Sequence, residues 1–206
     1  WTMPGNRAVA YGKDIDYLLI EVTNVDENSL AKIGDKIIIA KELVEDVMKE
    51  ISVLSFNSSN TLKGNDFAGT VLAHPLNNNG YEHEVLLLEA DFVTTDQGTG
   101  FVHIAPGHGA DDFELGRQNN LPIPETVSDN GILNSDLPLL GGLRVLKDNE
   151  IIADIMSEHN ALIGRGKLNH SYPHSWRSKA PLVFRTTPQW FISVSYTHLR
   201  AHETTL

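Results

Sequence analysis

The stretch GTGFVHIAPGHGADDFELG, residues 98–116, decides how this chain is read. Gly98-Thr99-Gly100 lets the backbone turn sharply and approach a neighbour closely. FVHIA (101–105) then has strand character, with Val102 and Ile104 on one face and His103 on the other. Pro106 and Gly107 impose a second bend. GADDFELGRQNN (109–120) reads as a helix whose first turn carries Asp111 and Asp112, where the helix dipole favours anions. Strand, bend and helix thus gather His103, His108, Asp111 and Asp112. Those residue types suit a metal site, an acid–base pair or a pocket for an ammonium group.

The metal reading has the right ligand types but the wrong spacing. Pro106 and Gly107 break any helix that would align the two histidines, and no further ligand cluster supports them. In HSYPHSWRS (170–178) serines stand at 175 and 178, where soft ligands would be needed, so that segment reads as a surface turn with Arg177 exposed. The pocket reading uses the same residues differently. His103 projects from the sheet face opposite its apolar neighbours, and Asp112 points into the same space, where a carboxylate suits an ammonium group. One acid suffices for the helix start, so Asp111 is expected to serve the helix and Asp112 a ligand. On the residues alone, a packed and hydrogen-bonded His103 and a functional one remain open alternatives.

Working outward, DYLLIEV (16–22) and DKIIIA (35–40) are β-branched and apolar and read as strands. KELVEDVMKEI (41–51) carries Leu43, Val44, Val47, Met48 and Ile51 at helical spacing, which predicts a strand-to-helix hand-over near Ala40. FAGTVLAHP (67–75) and EVLLLEADFVTT (84–95) read as strands separated by a turn-forming loop. Residues 121–142, with three prolines and three glycines, read as loop. DNEIIADIMSEHNALIG (148–164) predicts a helix, with Gly164 past its end. KAPLVFRTTPQWFIS (179–193) predicts one more strand. Short strands with a few helices indicate an α+β domain centred on a curled sheet or barrel.

The 206 residues suffice for one large or two small domains, and 41% hydrophobic with 21% charged residues is an ordinary globular balance. The longest apolar runs are too short to span a bilayer, so no membrane partner is expected. There are no cysteines, which excludes disulfides and thiolate metal sites and fits a reducing compartment. The net charge of −11 argues against a broad phosphate-binding surface, though not against touching the tip of a nucleic acid held elsewhere. Residue 1 is a tryptophan and opens in mid-phrase, and VSYTHLRAHET (194–204) resembles a translated sequencing adapter. Residues 194–206 are therefore expected to be an artefactual tail.

Three blocks, WTMPGNRA (1–8), GTGFVHIAPGHGADDFELG (98–116) and HSYPHSWRSKAPLVFRTTPQWFIS (170–193), resemble landmarks of the editing domain of isoleucyl-tRNA synthetases, in the right order. The valyl and leucyl enzymes differ around His103 or the SYPHSWR phrase, so the isoleucyl assignment is preferred, with a valyl editing domain as the alternative. The resemblance covers residues 1–193 and implies a β-barrel-centred editing domain with a few peripheral helices, of which residues 181–193 form the exit segment toward the catalytic domain. It implies hydrolysis of valine from mischarged tRNA(Ile), the standard illustration of double-sieve editing. By the same resemblance Asp112 holds the α-ammonium, His103 lines the amino-acid pocket, Asn6 belongs to the editing site and Thr2 lies on its approach. His108 matches a pocket-wall position, and Gly98, Thr99 and Gly100 are expected to contact substrate.

The partners implied are the acceptor end of tRNA(Ile) carrying valine and the rest of the synthetase in cis, in the cytoplasm. Attack by a positioned water, without a covalent intermediate, is the chemistry implied. Two departures bear on activity. The family's threonine-rich strand precedes the segment matching WTMPGNRA, so the fragment is expected to be N-terminally truncated and impaired, or only to bind an aminoacyl-tRNA end. Ser175 and Ser178 replace a Cys-x-x-Cys pair, so no zinc is assigned. No signature of the aminoacylation domain is present; ATP and Mg2+ belong to that absent domain, and no cofactor is expected here.

Overall fold

Alternating burial and β-branched content produce seven strands, and three helices cover them. The computed structural model describes residues 1–166, 171–190 and 192. In chain order the elements are β1 (Ala8–Tyr11), β2 (Asp16–Val25), β3 (Lys36–Ala40), α1 (Val44–Glu50), β4 (Val53–Lys63), β5 (Val71–Ala73), β6 (Glu84–Glu89), β7 (Phe101–Ile104), α2 (Ala110–Gln118) and α3 (Asn149–Glu158). One sheet has the order β5-β6-β1-β7, with β1 parallel to β6 and antiparallel to β7; the other has the order β3-β2-β4. The expected α+β class holds. The barrel does not: among the described residues the two sheets stay separate. Gly98 and Gly100 both have positive φ, so the chain before β7 bends, and Ala40 N–H to Thr99 O is the backbone bond across the gap.

Side chains close what the ladders leave open. Tyr17 is fully buried; its hydroxyl donates to Gly100 O at 2.8 Å and accepts from Gly12 N at 3.0 Å. Its ring meets Phe67 and Phe101 at 5.1 and 4.7 Å, so one residue of β2 fastens the far sheet. A register shift in β2 between Leu18 and Ile20 turns both Tyr17 and Ile20 inward, which strict alternation would forbid. Around them Ile39, Val44, Val47 and Met48 complete a core shared by both sheets and α1. A second core under α3 joins Leu76, Tyr81, Leu133 and Leu140, and takes Trp1, Met3 and Val183 at its margin. Small residues of β1, Ala8 and Ala10, let α2 seat Leu115 close to the first sheet.

The predicted elements differ from these at their ends. The 41–51 helix begins as a 3-10 turn, Lys41–Leu43, before α1. The 67–75 strand shrinks to β5 because a 3-10 turn occupies Gly64–Phe67 and Gly69 has positive φ. The 84–95 strand stops at Glu89. The last predicted helix ends at Glu158, not near Gly164: Asn160 adopts φ 55° and Ala161 N–H closes back on Met156 O at 2.8 Å. The strand expected in 179–193 is reduced to a single bridge, His174 to Pro181, among the described residues. The proposed tail, residues 194–206, lies outside the described residues, as does His170.

Candidate functional site

A 3-10 turn, Met3–Gly5, with Pro4 at its centre, carries the chain into β1, and the side chain of Asn6 is driven under the sheet, where it is 2% exposed. Its amide nitrogen donates to Ala8 O at 2.9 Å and lies 2.7 Å from His103 Nδ1. The β1–β7 register pairs Val9 with His103 and presents that imidazole to the turn. On its other side His103 Nε2 lies 3.0 Å from Thr2 Oγ1. An amide N–H can only donate, so Nδ1 accepts and the ring proton sits on Nε2, donating to Thr2. Burial pushes the imidazole down to about 4, so the ring is neutral at physiological pH. Asn6, His103 and Thr2 form one directed chain of hydrogen bonds.

Asp112 stands in the first turn of α2, and its Oδ2 accepts from Ala105 N–H at 2.8 Å, two residues past His103. Its carboxylate therefore ties the helix start to the strand end. Neither acid caps the helix by a side-chain bond; Gly109 is the N-cap, so Asp111 does not serve the helix start in that way. Burial raises the Asp112 carboxyl, opposed by backbone N–H groups. Asp111 instead borders a separate open depression of about 300 Å³ with Glu89, Asp91, Phe92 and Glu114.

The His108 ring is held by three contacts. Nδ1 donates to Phe184 O at 3.0 Å, Nε2 accepts from the Thr126 hydroxyl at 2.7 Å, and the ring meets Trp1 edge-on at 4.9 Å. Burial lowers its pKa as well, and the Phe184 carbonyl fixes the tautomer. With both rings committed, His103 and His108 have no free nitrogen, and among the described residues no group of three or more His, Asp or Glu is placed to hold a metal ion. Thr99 and Gly100 contact the end of β3 and Tyr17; no hydrogen bond joins either, or Gly98, to His103 among the described residues. A Cβ on Gly100 would lie 2.4 Å from that of Ala40, which explains the glycine structurally.

Sequence reasoning missed a second polar layer behind Asn6. Arg7 Nη1 donates to Pro4 O and Asn6 O, at 3.1 and 2.6 Å, and His83 Nε2, 2.9 Å from Nη1, donates to Asn6 O at 2.9 Å. His74, 2% exposed, donates from Nε2 to Met3 O at 2.9 Å and stacks on Tyr81 with centroids 4.7 Å apart. Single histidines beside a proline and between two glutamates carry no spacing signal. Only the fold brings them to the Met3–Gly5 turn.

The family model described as the editing domain of leucyl-tRNA synthetase matches residues 26–138. The chain is 45% identical over 205 residues to the isoleucine–tRNA ligase of Gluconobacter oxydans, covering 94% of this chain and 21% of that protein. It is 46% identical over 200 residues to the isoleucine–tRNA ligase of Pelagibacter ubique, covering 97% and 22%. The chain thus spans about a fifth of the length of the curated relatives it matches. A solved structure described as "The crystal structure of GlLeuRS-CP1" superposes with a TM-score of 0.60 at 13% identity, over 81% of each chain, a likeness of fold alone.

Proposed function

The chain belongs to the family of leucyl-tRNA synthetase editing domains, and from that premise we propose that it is the editing part of an isoleucine–tRNA ligase, removing valine from mischarged tRNA(Ile). In this proposal residues 1–193 form the editing unit, residues 181–193 lead toward the rest of the synthetase, and the unit works in the cytoplasm without a cofactor of its own. What supports it is the hydrogen-bonded chain of Asn6, His103 and Thr2, two residues from the backbone N–H that holds Asp112.

Each residue has a part that its surroundings allow. Burial penalises the Asp112 carboxylate, and an α-ammonium placed beside it offsets that penalty. His103 already carries its proton on Nε2 and accepts at Nδ1, so it donates and fills space; it does not take a proton. Thr2 Oγ1 receives the His103 proton, which leaves its own hydroxyl hydrogen to be donated toward a ligand. A water adds to the ester carbonyl carbon, the bond from that carbon to the ribose oxygen breaks, and the ribose oxygen leaves with a proton from the water. The products are valine and a free terminal hydroxyl.

The test is deacylation of valyl-tRNA(Ile) beside isoleucyl-tRNA(Ile). The chain is expected to release valine faster than buffer does, to spare isoleucine, and to lose that activity as Asp112→Ala. Activity unchanged in Asp112→Ala removes the ammonium anchor from the proposal. One observation favours a second reading, a module that binds the aminoacyl end without turnover: neither ring nitrogen of His103 is available as a base. Binding of a non-hydrolysable valyl-adenosine analogue with no release of valine selects that reading.

A further inference from the structure

We propose that Arg7 grips a backbone phosphate of the RNA end that carries the amino acid, a role that rests on the function proposed above. Among the described residues Arg117, Arg144, Arg165 and Arg185 each pair with a carboxylate, and Arg177 lies over the Trp176 ring at 5.1 Å. Among the described residues Arg7 has neither kind of partner, although the chain holds 27 acidic residues. Its guanidinium is half-buried, and burial works against its charge.

The way it is held argues for a ligand. Nη1 alone makes all of its hydrogen bonds, to Pro4 O and Asn6 O, and His83 Nε2, itself a donor to Asn6 O, stands beside it. Nε and Nη2 hold none among the described residues. The group is therefore pinned at one corner and leaves the adjacent edge, two N–H groups in one plane, unengaged. That edge is the fork that matches two oxygens of a phosphate. An anion there supplies the counter-charge that the fold omits.

Its position fits the terminal nucleotides. Arg7 follows Asn6 directly, and the Asn6 carbonyl takes Arg7 while the Asn6 amide takes His103. His74 lies close enough to both Arg7 and His103 to interact with each electrostatically. A phosphate on Arg7 thus sits beside the pocket proposed for the amino acid. With a net charge of −11 the rest of the surface repels RNA, so an unpaired local cation is where a phosphodiester can approach.

The experiment titrates the chain with a short fluorescent RNA ending in CCA over a range of salt. Arg7→Gln is expected to weaken binding about tenfold and to make the plot of log affinity against log salt shallower by about 0.7, the increment for one phosphate of a single strand. Arg7→Lys should keep the slope while losing part of the affinity. In the unsubstituted chain the Arg7 Nε–H resonance should move as RNA is added. Unchanged affinity and slope in a folded Arg7→Gln, an unmoved Nε–H resonance, or no binding of the RNA at all overturns the assignment. A resonance that moves with inorganic phosphate but not with RNA makes this a free-anion site and overturns it too. The editing proposal is judged separately, by the effect of Asp112→Ala on valine release.

Discussion

His103 shows how little a residue type says before its neighbours are known. Its imidazole is held at about 4 by burial, against 6.5 in water. A folded state that resists protonation binds fewer protons than the unfolded chain between those values, so stability is full above pH 6.5 and falls as pH drops toward 4. His74, His83 and His108 are lowered too and act in the same direction. Urea unfolding between pH 7 and about pH 4.5 should show that decline, of which His103 contributes at most about 3 kcal/mol; His103→Gln should flatten it. A second outcome concerns the tautomer. Asn6→Asp replaces a donor with an acceptor, so the ring proton should move to Nδ1 and the pKa should rise, both visible in ¹⁵N spectra of the imidazole. At this scale the residues lining the site were legible as types, because His103, Asp112, Asn6 and Thr2 sit in quotable phrases. Their partners were not, since a contact across some hundred residues leaves no mark in local spacing.

At the scale of elements, glycine spacing and helix ends carry the information. Gly100 has φ 79° and no room for a methyl group beside Ala40, whereas Gly98 has φ 78° and open space around it. Gly98→Ala should therefore cost about 1 kcal/mol from backbone strain alone, and Gly100→Ala roughly twice that or more once the clash is added. Denaturation midpoints of the two variants separate the effects. Asn120 ends α2 in the left-handed region at φ 53°, with Leu121 N–H returning to Gly116 O at 2.8 Å. Asn120→Gly should leave stability equal or raise it by a few tenths of a kcal/mol. Strong apolar patterns announced β2, β3, β6, α1 and α3 in the sequence. β4 was silent, because SFNSSNT has no alternation and most of its residues are exposed; its pairing with β2 makes it a strand. The reverse happened at 179–193, where β-forming residues found no partner strand among the described residues.

At the scale of the whole molecule, the class and the acidic charge were legible, and the separation of the two sheets was not. Closure depends on how Gly98 and Gly100 turn the chain where it meets the end of β3, a matter of dihedral angles that composition does not encode. The sheets are joined instead through Tyr17. Tyr17→Phe keeps the ring contacts and leaves Gly100 O and Gly12 N without their shared hydroxyl, so it should cost about 1–3 kcal/mol in urea unfolding. That fastening has a consequence for endurance. Its hydroxyl grips the residue just ahead of the histidine strand, so β7 cannot loosen while the opposite sheet stands. Heat should not loosen β7 in advance of melting the body, and the β7 amide protons bonded to β1 should trade with solvent only on global opening.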